Sequence, residues 1–205
     1  MPNLQEHMLR VAAVASIICD NFERPLDKES VISACLIHDV GNIIKFKQYL
    51  PFEKSETKKP SRWEKVRAEF IKKYGNNEYK ATYKILEEVG ISRRVLKLVK
   101  AISFRHAGKT FISPYYEVKI CGYSDMRVAP QGVLSLTQRL DEGVKRNTTL
   151  RTSKFSQKML QVYISIWEKI EKQIFTRCKI KPGDITEEKV KPLIENLKNF
   201  NIQTS

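Results

Sequence analysis

No apolar run in the chain approaches the roughly 18 residues that a membrane span requires. No segment alternates polar and apolar residues for long enough to predict a half-buried strand, and no internal repeat is present. The N-terminus lacks a basic stretch followed by an apolar segment, so no secretory signal is expected. Four cysteines, Cys19, Cys35, Cys121 and Cys178, lie far apart and never in CxxC spacing. That excludes a zinc knuckle and argues against a disulfide framework. Cys19 and Cys35, set among apolar residues, read as small core residues in a reducing compartment. Aromatic-rich RNA-binding motifs are missing, and the basic residues are spread along the chain rather than clustered, which ranks nucleic acid behind small phosphorylated partners. Histidine is scarce, with three in 205 positions, so where each one falls carries information.

What remains is an ordinary globular composition with one outlier. A hydrophobic fraction of 41% beside 29% charged residues argues against disorder and predicts a cytoplasmic protein with one well-buried core. The outlier is a net charge of +14, which draws phosphate-bearing partners such as nucleotides.

The periodicity is helical nearly throughout. Leu4, Met8, Val11, Ala15, Ile18 and Phe22 recur at spacings of four and three, giving a first helix with one apolar stripe. Asp27 is placed to cap a second helix carrying Val31, Ile32, Cys35 and Leu36 into His38 and Asp39, with Gly41 as a natural break. Residues 45–60 read as an exposed loop. Ser61 and Glu64 form a capping box for a third helix closed by Gly75, and a fourth runs from Asn76 to Glu88. Ser92 caps a fifth helix running towards Phe104. A loop is expected over 107–114, a sixth helix from Tyr115 to about Met126, and a short helix over 134–140. The stretch 155–175 carries Met159, Val162, Ile166, Ile170 and Ile174 on one face, and Asp184 or Thr186 caps a last helix ending near Phe200. The fold class is all-α, with a helical domain over 1–145 and C-terminal helices over 146–205 packed on the same core.

His7 falls on or beside the buried stripe of the first helix, where a histidine on its own reads as a core residue. His38-Asp39 changes the balance. Apolar and small residues from Ile32 to Ile37 lead into it, and a carboxylate buried beside an imidazole is costly unless neutralised. A metal ion neutralises it well, because both groups are its ligands. The competing structural role is for Asp39 to act as a cap or to pair with an arginine.

His7 on one helix, His38-Asp39 ending the next, and a distant helical aspartate together resemble the HD superfamily of metal-dependent phosphohydrolases. The segment from Ser33 to Asn42, SACLIHDVGN, is similar to that family's A-x-L-L-H-D-I-G signature, and the resemblance covers roughly residues 4–140. It implies a helical bundle in which His7, His38, Asp39 and a downstream aspartate hold one divalent metal. Asp125, in CGYSDMRVAP, is preferred over Asp141, which lies in a polar stretch with Glu142, Lys145 and Arg146. The native ion is left open among Mn, Fe, Co, Ni, Zn and Mg.

The resemblance also implies a small phosphorylated substrate, a nucleotide by preference, attacked by metal-activated water with Asp39 in a catalytic role. His106 is a candidate to contact the scissile phosphate, protonate the leaving oxygen or join a second metal. Arg105, Lys109 and Arg127 are candidates for binding the phosphate. Two departures qualify this. Asn42 stands where some members carry a catalytic Lys or Glu, and His106 is the only extra histidine between the HD pair and the last aspartate. One metal is therefore expected rather than two. The alternative function is an HD-fold module that binds a nucleotide without turning it over.

Overall fold

A computed structural model of the chain describes residues 2–48, 62–149 and 157–204. Ten α-helices are present among them: α1 (Pro2–Asp20), α2 (Lys28–Ile37), α3 (Arg62–Tyr74), α4 (Glu78–Glu88), α5 (Arg93–Ala101), α6 (Ala107–Ile112), α7 (Tyr116–Asp125), α8 (Leu136–Thr149), α9 (Gln157–Phe175) and α10 (Glu187–Leu197). One two-stranded hairpin, β1 (Val128–Ala129) and β2 (Gly132–Val133), pairs Val128 with Val133 and Ala129 with Gly132. The all-α reading holds. None of these helices is long and apolar enough to cross a membrane.

α1 is the axis of the molecule. Every residue from Val11 to Ala15 is fully buried, and the small side chains of Ala12, Ala13, Ala15 and Ser16 let neighbours approach from several sides. α2, α7, α10 and the hairpin all pack on it. α2 likewise has no polar face along Val31–Cys35, and it lies between α1, α5 and α7. Its start is fixed as the sequence predicts, with the Asp27 carboxylate accepting from the Ser30 N–H at 3.1 Å. Ser92 caps α5 in the same way, accepting from the Val95 N–H at 3.3 Å.

Several local expectations are corrected. Residues 45–48 belong not to a loop but to a 3₁₀ segment, Val40–Gln48, whose Ile43 and Ile44 are buried with Ala81 beneath Val66, Phe70, Ile71 and Tyr74. Residues 49–61, including Ser61 of the expected capping box, lie outside the described residues, as does Phe155. The stretch expected as a loop over 107–114 contains α6. The carbonyl end of α6 is closed by buried Lys119, whose Nζ donates to Thr110 O at 3.0 Å, to Phe111 O and to Gln173 Oε1 at 2.8 Å. Burial pulls the Lys119 pKa down. The helix expected over 134–140 continues to Thr149.

On α9 the buried positions are Trp167, Ile170 and Ile174, whereas Met159 and Val162 of the expected stripe are 47% and 53% exposed. Successive steps of four residues advance about 40° beyond a full turn, so a stripe of that spacing winds off the inner face. α9 and α10 send Trp167, Ile170, Ile174, Val190, Ile194 and Leu197 into the same cluster as α1, α2 and α7. Thr186 stands at the N-cap of α10 with no side-chain capping bond, and the Asp184 carboxylate accepts instead from the Lys181 N–H at 2.8 Å.

Candidate metal centre

Four side chains meet where α1, α2 and α7 converge. His7 comes from the second turn of α1, His38 from the C-cap of α2, Asp39 from the residue after it, and Asp125 is the last residue of α7. The burial of α2 up to Ile37 delivers His38 inside the protein, its side chain only 3% exposed. His7 Nε2 stands 3.2 Å from Asp125 Oδ1 and 3.9 Å from Asp39 Oδ2. His38 Nε2 stands 3.5 Å and 3.8 Å from the same two oxygens. His7, His38 and Asp39 each offer a ligand atom within 4.8 Å of the others, and Asp125 lies closer to both imidazoles than Asp39 does. Asp141, the competing aspartate, is exposed on α8.

His38 carries the diagnostic chemistry. Its Nδ1 lies 2.8 Å from the Cys35 carbonyl, and a carbonyl only accepts, so the proton sits on Nδ1. Nε2 is then buried with no hydrogen-bond partner, facing two carboxylates. The 3.5 Å approach of Asp125 is a charge facing the ring rather than a formed hydrogen bond. A lone pair pointed at two anions is repulsive unless a cation stands between them. Either a second proton or a metal ion fills that role, and two imidazoles, one anchored to backbone, with two carboxylates are a set that suits a divalent ion.

The titration of the cluster without metal expresses the same demand. Burial alone would lower the His38 pKa, but the negative charges of Asp39 and Asp125 overcome it and hold the ring up at about 9. Burial alone would raise the Asp125 carboxyl, and the two imidazoles reverse this and hold it well below the usual carboxylate range.

The turn that carries Asp39 is clamped from outside. Asn42 contributes its backbone, donating to Asp39 O at 2.8 Å. Gly41 N–H donates to Thr82 Oγ1 at 3.1 Å, and Thr82 donates on to Glu78 O at 2.9 Å. Gly41 is therefore not the helix break expected of it, because α2 already ends at Ile37. Its role is close approach: a Cβ there would lie 2.4 Å from Glu78 O and 2.5 Å from Thr82 Oγ1. Gly41→Ala is expected to push the 3₁₀ segment off α4 at a cost of about 1–3 kcal/mol, with Asp39 displaced alongside. A thermal melt without metal checks the first effect and a metal titration the second. A variant that matches wild type in both would refute the clamp. Sequence reasoning misses Glu78 and Thr82, and Gly41 is the residue that could have signalled them.

The remaining candidates separate. Arg127 is only 2% exposed and is committed to the fold, not to a phosphate. It donates to the carbonyls of Leu134, Pro182 and Ile185 and to the Tyr123 hydroxyl, which in turn donates to Glu171 at 2.6 Å. Arg105 is exposed on the 3₁₀ turn Phe104–His106; against the burial that opposes ionisation of Glu78, Lys45 and the more distant Arg105 favour its charged form. His106 is half-buried at the start of α6, with its N–H donating to Ser103 O at 3.0 Å, and Lys109 is exposed on the same helix. Neither makes a hydrogen bond or ion pair with His7, His38, Asp39 or Asp125.

Comparison with known proteins yields one result of weight. The family model described as HD domain matches residues 4–141, a span that begins just before His7 and ends past Asp125. No curated protein and no solved structure gives a significant match to the chain.

Proposed function

Since the chain belongs to the HD-domain family, a family of metal-dependent phosphohydrolases, we propose that it hydrolyses a phosphoester or phosphoanhydride of a small phosphorylated substrate, a nucleotide by preference. One observation carries this reading: buried His38 Nε2, its tautomer fixed by the Cys35 carbonyl, faces two carboxylates with no hydrogen-bond partner.

His7, His38, Asp39 and Asp125 would hold one divalent ion. Such an ion would polarise a phosphoryl oxygen and lower the pKa of a bound water. The chain's own residues do the rest. The Cys35 carbonyl keeps the His38 proton on Nδ1 and so leaves Nε2 basic. Asp125, 17% exposed, balances positive charge from the interior side. Asp39 is the most open of the four at 28% and is the carboxylate placed to take a proton from attacking water. Arg105, exposed within electrostatic reach of Glu78, is the candidate to meet substrate phosphate. His106 and Lys109 carry no role here.

The test begins with elemental analysis of the purified protein. A panel of nucleotides and simple phosphoesters is then assayed with Mn²⁺, Co²⁺, Ni²⁺ and Mg²⁺, before and after chelation. Phosphate release that disappears with the chelator and returns with one of the ions is the expected result. Release indifferent to chelation, or failure to bind any of these ions, overturns the reading. Metal bound without turnover across the panel favours the binding module that Asn42 suggests.

A further inference from the structure

The face formed by α4 and α5 carries a second set of functional groups. Tyr79 and Tyr83 are four apart on α4 and share one side of it. Tyr79 is 45% exposed and Tyr83 half-buried. Each ring faces a cation: Lys45 Nζ lies 5.8 Å from the Tyr79 centroid and Lys100 Nζ 5.2 Å from that of Tyr83. Along α5, Arg93, Lys97 and Lys100 recur at spacings of four and three, so they form one exposed basic row, and Lys100 joins that row to the tyrosines. Charges scattered in the sequence are thus grouped by the fold. The acids within reach are Glu78, bound to Lys45 at 2.7 Å, and Glu87, 4.0 Å from Lys100.

We propose that this face binds single-stranded nucleic acid, with bases stacking on Tyr79 and Tyr83 and the backbone running along Arg93, Lys97 and Lys100. Aromatic rings flanked by cations serve a single strand better than a duplex. The rings need unpaired bases to stack on, and the exposed Lys100 ammonium, only loosely paired with Glu87, is available to the phosphates. The strip adjoins the quartet through α4 itself: Tyr79 follows Glu78 and Tyr83 follows Thr82, the residues that hold Gly41 two positions from Asp39. Binding there does not depend on the hydrolytic reading.

The test is fluorescence anisotropy with a labelled 15-nucleotide oligo(dT), run in excess EDTA so that a metal-bridged phosphate cannot contribute. A 15-base-pair duplex and phosphatidylserine vesicles serve as competitors. The single strand is expected to bind more tightly than the duplex. Tyr79→Ala should weaken it roughly 5- to 100-fold, and Tyr79→Phe, which keeps the stacking face, should bind as wild type does. The double variant Arg93→Ala/Lys97→Ala should make the salt dependence shallower by about 0.7 in logarithmic slope for each phosphate no longer neutralised. All the substituted side chains are exposed, so circular dichroism melts should match wild type. Equal affinity for duplex, indifference to Tyr79→Ala, preference for the vesicles, or no binding in 0.1 M salt would each overturn the proposal. Phosphate release abolished by chelation while anisotropy persists separates the two sites.

Discussion

Asp39→Ala is expected to fold like the wild-type protein, to lose its bound divalent ion, and to lower turnover about a thousandfold or more. Folding should survive because Asp39 is the most exposed member of the quartet and, among the described residues, its carboxylate meets only the two imidazoles, at 3.8 and 3.9 Å. Its removal also relieves one of the two negative charges crowded against His38. Metal binding should not survive, because His7, His38 and Asp125 then supply one carboxylate against a doubly charged ion. Elemental analysis and a chelator-buffered titration read the loss of metal, and single-turnover assays read the loss of chemistry. A variant that keeps its metal and its rate would return Asp39 to the role of a helix-end cap. One that loses both along with its cooperative melt would show the carboxylate to be structural.

The second large effect is in stability. Arg127→Met should cost about 3–5 kcal/mol and lower the melting temperature by roughly 6–20 °C. A buried guanidinium here gathers three carbonyls from Leu134, Pro182 and Ile185 together with the Tyr123 hydroxyl. It pins the segment after the hairpin and the approach to α10 against α7. Methionine fills much of the volume but leaves those acceptors without donors in the interior. Arg127→Lys should rescue little, since three donors on a point charge cannot reproduce the planar fork. At low temperature, turnover per folded, metal-loaded molecule should stay near wild type. If instead the melt is unchanged and kcat/KM falls, Arg127 serves the substrate after all.

Arg127 also shows where sequence reasoning runs out. Two residues from Asp125, it has the composition and position of a phosphate ligand, and only the fold reveals carbonyls arriving from 7, 55 and 58 residues away. Lys119 hides α6 in the same way: six residues carry little helical signal, and the cation that closes them belongs to the next helix. Gly41 reads in the sequence as a helix break, and in the fold its meaning is contact with α4. His7, His38, Asp39 and Asp125 are legible for the opposite reason. Histidine is rare here, and the apolar run before His38 carries that ring into the interior beside a carboxylate, so local sequence already states the electrostatic problem. The helices α1, α2, α4, α5 and α7 are legible from caps and periodicity. α9 is legible in extent but not in facing, because Trp167 takes the inner position from the drifting stripe.

The quartet draws on three stretches of chain, at residue 7, at residues 38 and 39, and at residue 125. An ion held there would act as a cross-link, closing loops of roughly 30 and 85 residues whose ends the unfolded chain keeps apart at an entropic cost. Because a disordered chain offers no such constellation, occupancy at a hundred times Kd would stabilise the native state by about 2.7 kcal/mol. Scarcity of the ion would then do more than silence the chemistry. It would shorten the protein's lifetime against proteolysis, tying the abundance of the protein to the supply of its metal.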